Sequence, residues 1–129
     1  SPTNRIFSPM QHATNAYGQV AKQTANPRQL EADLLLKAAS KLQAIQDGWD
    51  SRRPELDAAL HFNRKLWSVF MTAATGPDNP LPAQVKQNVA NLGVFVFKHT
   101  LSIMSDPKPE QLRSLISINR EIAAGLRGA

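Results

Sequence analysis

The stretch PELDAALHFNRKLWSVFMTAAT, Pro54 to Thr75, decides the fold class. At about 100° per residue from Leu56, the residues Leu60, Asn63, Trp67, Phe70 and Ala74 share one stripe, which Ala59, Phe62, Leu66 and Val69 widen. Polar groups keep only a narrow face, made by His61, Arg64, Lys65 and Ser68. A helix with that little polar surface is enclosed by neighbours rather than laid on a surface. This segment is therefore expected to be the central helix of an all-α, single-domain bundle.

One residue in the stripe is out of character. Asn63 lies between Leu60 and Trp67, where an amide is costly unless its donors and acceptor find partners. The same pattern returns downstream: Leu60-His-Phe-Asn63-Arg64-Lys-Leu66 is echoed by Ile116-Ser-Ile-Asn119-Arg120-Glu-Ile122. Both asparagines are expected to be buried and hydrogen-bonded, either as separate satisfied core amides or as a pair that fixes helix register. Asn63, Arg64, Trp67, Asn119 and Arg120 form this structural motif.

Upstream of the central helix, Ala13, Ala16, Tyr17, Val20, Ala21 and Thr24 predict a weakly apolar helix over about 11–25, too poor in burial to stand without a partner. Asn26-Pro27 is an N-cap followed by proline at the first helical position. A second helix starts there, presents Leu34, Leu35, Ala38, Leu42 and Ile45, and ends at Asp47-Gly48. Trp49 folds back on it, and Asp50 to Arg53 is expected to be a turn. Downstream, GPDNPLP (residues 76–82) holds three prolines and a glycine in seven residues and reads as a fixed loop.

Pro82 opens the fourth helix. Val85, Val89, Leu92, Val96, His99 and Ile103 form its first stripe; Val94, Phe97, Leu101 and Met104 form a second on the opposite side. The run Gly93 to Phe97 alone resembles a buried strand. Helical phase continues on both sides of it, and a lone strand would have nothing to pair with, so helix is the expectation. Asp106-Pro107-Lys108-Pro109 breaks the chain before a last helix carrying Leu112, Leu115, Ile116, Ile122 and Leu126 to Gly128. The pattern is a bundle of about five mostly antiparallel helices.

A chain of 129 residues fits one domain. Residues 1–10 match no periodic element and are expected to be a disordered or expression-derived segment ahead of the helical domain, 11–129. The absence of cysteine excludes disulfides and thiolate metal sites. No apolar run approaches a membrane span, and no signal-peptide core opens the chain, so a soluble, cytoplasmic protein is expected. The net charge of +5 and pI near 10.0 raise the question of nucleic acid. Against it, residues 1–54 carry seven basic and four acidic side chains and residues 55–129 carry eight and six, so no segment concentrates the charge. Nor do aromatics alternate with arginines as in single-strand binders.

Catalysis is not expected either. The sequence has no phosphate-binding G-x-x-x-x-G-K, no H-E-x-x-H and no cysteine nucleophile, and His12, His61 and His99 fall on three different helices. His99, on the apolar stripe, reads as a boundary histidine bonded to a carbonyl. No cofactor or metal is implied.

Asn26-Pro27-Arg28 opening a leucine-rich helix, Leu56-x-x-Ala59-Leu60-x-x-Asn63-Arg64-x-Leu66-Trp67, Leu81-Pro82, and Ile118-Asn119-Arg120-x-Ile122-x-x-Gly125-Leu126 occur in that order. Together they resemble the FlaF family of flagellar biosynthesis regulators of alphaproteobacteria, over roughly residues 13–128. The resemblance implies a cytoplasmic secretion chaperone that binds flagellin and supports its synthesis and export, in a pathway shared with FlbT, the translational partner of flagellin mRNA. The alternative suggested by the basic pI is a nucleic-acid-binding post-transcriptional regulator of that message. If flagellin is the partner, an amphipathic terminal helix of it is expected to dock on Val94, Phe97, Leu101 and Met104, a face that the weak first helix would cover in the free protein.

Overall fold

The computed structural model describes residues 27–128, which form four long α-helices with no strand among them. These are α1 (Pro27–Asp47), α2 (Leu56–Thr75), α3 (Ala83–Ser105) and α4 (Leu112–Gly128). The expected helix over 11–25, the segment 1–10 and the N-cap Asn26 lie outside the described residues. The run Val94 to Phe97 is helical, inside α3.

The junction between α1 and α2 departs from the expected turn. Trp49–Arg52 makes one α-helical turn and Arg53–Glu55 a 3₁₀ turn, so the chain stays helical almost throughout. Gly48 (φ −112°, ψ 40°) changes the direction without losing the ladder: its N–H donates to Ala44 O at 3.0 Å, and its carbonyl accepts from Arg52 N at 2.7 Å. Pro54 fits because it lies in the first turn of the 3₁₀ segment, where a missing N–H costs no bond. Trp49 is half-buried against the core, with the Arg53 guanidinium 5.6 Å from its ring centroid.

The two remaining connections are held by side chains as well as prolines. After α2, Asn79 Nδ2 donates to Ala73 O at 3.2 Å and the Lys86 ammonium to Gly76 O at 2.7 Å, satisfying carbonyls at the end of the helix. Before α4, the 3₁₀ turn Pro109–Gln111 is pinned by Gln46 Nε2, which donates to Pro109 O at 2.8 Å.

The core collects Leu35, Leu42 and Ile45 of α1, Leu60, Trp67 and Phe70 of α2, Val96 and Ile103 of α3, and Leu112, Leu115 and Ile116 of α4. Trp67 is fully buried and meets Phe70 edge to face, with centroids 5.4 Å apart and planes at 89°. Packing is uneven around this core. α1 and α4 make the most extensive pairing and α2 lies across α1, while α3 packs chiefly on α2 as the second arm of an antiparallel hairpin. Gly93 allows that approach: a Cβ there would collide with the Met71 Sδ of α2.

Candidate functional site

Because α3 leans on one neighbour, one arc of it is buried and another is left open. Val89, Gly93, Val96, Thr100 and Ile103 face α2. Thr100 is satisfied inside that arc by donating its hydroxyl to Val96 O at 2.7 Å. On the open side Val94, Leu101 and Met104 are 49%, 61% and 52% exposed. Phe97 differs from the expected site: it is half-buried and packs against the core. At 100° per residue it stands only about 80° from the centre of the buried arc, whereas Val94 and Leu101 stand about 120–140° away.

Two further residues change place relative to the expected stripes. Val85, expected toward the core, is 38% exposed because it lies in the first turn of α3, at the loop end of the hairpin. Phe95, which belongs to neither expected stripe, is 41% exposed and stacks on His99 at 5.1 Å with planes 15° apart. Its signal was the i, i+4 spacing to His99. His99 Nε2 lies 2.8 Å from Gln111 O; a carbonyl only accepts, so this nitrogen carries the proton.

α2 supplies the wall beside the open arc. Asp57, Leu60, His61 and Arg64 line a small cleft of about 30 Å³ together with Thr100 and Met104 of α3. Further along, Met71 lies against Gly93. Arg64 Nη2 approaches His61 Nδ1 at 3.3 Å and has no carboxylate within ion-pair distance among the described residues. Arg64 is exposed, as expected for the polar face of α2, and the fold also brings it to the rim of the cleft between α2 and α3.

The asparagine motif lies on the other side of α2. Asn63 and Asn119 are fully buried and bonded to each other: Asn119 Nδ2 donates to Asn63 Oδ1 at 2.7 Å and to Leu35 O at 3.2 Å. Trp67 Nε1 donates to Asn119 Oδ1 at 2.8 Å. An indole N–H can only donate, so it fixes which end of Asn119 is oxygen, and that in turn fixes Asn63. The chain ties α1, α2 and α4 together at one level. Its loose end is Asn63 Nδ2, buried with no partner among the described residues. Arg64 and Arg120, the second members of each motif, are exposed.

Arg127 Nη2 meets Asp33 Oδ1 at 2.6 Å, joining the ends of α1 and α4, and this hydrogen bond, with one from Gln29, holds the Asp33 carboxyl below its usual range. Lys37 and Lys41 instead lie over the Phe62 ring, at 5.8 and 4.8 Å from its centroid. None of the described helices is long and apolar enough to cross a membrane.

A family model for the flagellar protein FlaF matches residues 13–126, nearly the whole chain. The chain belongs to the FlaF family. No curated protein and no solved structure matches it. The matched span takes in all four helices apart from the last two residues of α4, so both the amide chain and the open face of α3 belong to the FlaF region.

Proposed function

We propose that this FlaF protein is a flagellin-binding chaperone, working in the cytoplasm without catalysis, which holds an amphipathic terminal helix of flagellin against the open face of α3 until export. The observation that carries this reading is the exposure of Val94, Leu101 and Met104 side by side on one helix in a flagellar protein. Isolated apolar residues on a surface need no explanation, but a contiguous row beside a groove is the form that helix recognition takes. Flagellin termini are amphipathic helices that associate with one another, so covering one keeps subunits apart.

The test is co-expression of flagellin with this protein, followed by purification of a stoichiometric complex. The variant Leu101→Glu, at a residue 61% exposed, leaves the fold intact and is expected to reduce capture at least tenfold. Capture unchanged in Leu101→Glu and in Val94→Glu would overturn α3 as the docking face. Capture that depends on RNA and collapses between low and moderate salt would favour regulation through the message instead.

A further inference from the structure

The exposed Val94, Leu101 and Met104, with the half-buried Ala90 and Phe97 among them, repeat the spacing of the buried arc one residue further along α3. Ala90, Val94, Phe97, Leu101 and Met104 follow one another at intervals of four, three, four and three residues. That alternation is the seam of a coiled coil, where two helices cross at a shallow angle and each side chain fits between four of the other helix. The run from Ala90 to Met104 is fifteen residues, about 21 Å of helix, and it stops at Gln87, an exposed polar residue that bonds along its own helix to Asn91.

Charge at the edges says which helix fits. On one side of the row stands Arg64 of α2, beside the cleft it shares with Thr100 and Met104. On the other side, next round α3 from Val94 and Leu101, stands Lys98. Arg64 and Lys98 are exposed, and neither has a carboxylate partner among the described residues. Arg64 stands beside Thr100 and Met104 in a cleft that Asp57 and His61 also line, and Lys98 follows Phe97 directly on α3, so the two cations outnumber the one carboxylate at the edges of the row. A second copy of the chain would bring the same two cations to the same edges, on a molecule already at +5. An acidic helix would pair with them.

We propose that this face is one half of a two-heptad helix–helix seam, made for a single amphipathic helix that has apolar residues at alternating three- and four-residue intervals and carboxylates flanking them beside Arg64 and Lys98. The proposal rests on α3 being the docking face and specifies what docks there. Hydrophobic contact along the row holds the helix; the two cations select its flanks and, being exposed, do so in a salt-dependent way.

Three synthetic 21-residue peptides test it, measured by fluorescence anisotropy against the whole protein. All carry leucine at the seam positions of three heptads; the flanking positions are glutamate in the first and lysine in the second, and the third is a scramble of the first. The glutamate peptide is expected to bind roughly 3–10-fold more tightly than the lysine peptide at 50 mM salt, with the gap closing by 500 mM, as for two exposed ion pairs. The scramble should not bind. In the double variant R64E/K98E the preference should invert, while Lys37→Glu, on a different face, should leave it unchanged. Equal binding of the two flank types, or no inversion in R64E/K98E, overturns the acidic-helix assignment. If Leu101→Glu still abolishes flagellin capture in that case, the docking face stands and only its charge rule falls. If the free protein sediments as a dimer that Leu101→Glu dissociates, the occupant is a second copy, and the proposal is wrong.

Discussion

Asn63 and Asn119 look alike in sequence and occupy the same helical phase, yet the structure makes them unequal, and replacing each by alanine should expose the difference. Both are fully buried, so truncation leaves a similar small cavity at each site and that cost largely cancels in the comparison. Asn119 makes three hydrogen bonds, and its loss strands the Trp67 indole N–H and the Asn63 Oδ1 inside the core. Asn63 makes one, and its loss strands a single hydrogen of Asn119 Nδ2 while removing a donor that has no partner. With about 1–3 kcal/mol for each buried polar group left unsatisfied, Asn119→Ala should cost about 2–4 kcal/mol more than Asn63→Ala. That is a large part of the roughly 5–15 kcal/mol that holds a domain together. Urea unfolding followed by circular dichroism and by tryptophan emission measures both variants, and the Asn119→Ala midpoint should fall well below that of Asn63→Ala. Equal costs, or a larger cost for Asn63→Ala, would refute the direction of the bonds assigned from the Trp67 donor. A double-mutant cycle should return a coupling of about 0.5–3 kcal/mol, since the two amides touch.

Trp67→Ala should cost roughly 3–5 kcal/mol, because a fully buried indole is replaced by a cavity and Asn119 loses its donor; a midpoint unchanged in urea would show that the ring is not enclosed. Gly93→Ala gains about 1 kcal/mol of helix propensity but drives a methyl into Met71, so its effect should become more favourable by about 1 kcal/mol or more when Met71 is also alanine; purely additive effects would mean that the side chain swings clear unaided. The Asp33 carboxyl is held below its usual range in the folded state, so its ion pair with Arg127 contributes above the unfolded value near 3.8 and is lost as pH falls below it. Both groups are exposed, so Asp33→Asn should leave stability near pH 7 almost unchanged and flatten only the acid limb of the unfolding profile; a large loss at pH 7 would show a stronger tie between α1 and α4 than an exposed pair supplies.

Phase along a helix is legible in one sequence because it depends only on the residue and its neighbours, and the four described helices, the enclosed α2 and the inward asparagines all follow from it. What phase does not carry is how far the next element reaches. Val85 and Val96 share one stripe, yet the first turn of α3 meets a loop while Val96 meets α2, so one is 38% exposed and the other fully buried. Asp50 to Arg53 reads as a turn because Gly48 and Pro54 bracket it, but both residues can sit at helical junctions, and the hydrogen bonds through Gly48 keep the helix going. The proposed docking row lies between these cases. Its existence follows from Val94, Leu101 and Met104 falling opposite the first stripe. Its edges do not, because Arg64 and Lys98 are thirty-four residues apart and become the two sides of one groove only when α2 and α3 close as a hairpin. Ala90 also belongs to that row, and so small a side chain stands out only once the four-three alternation of its neighbours has been noticed. The proposed docking face is thus half written in the chain: its apolar spacing is local, while the charges at its edges are assembled by the fold.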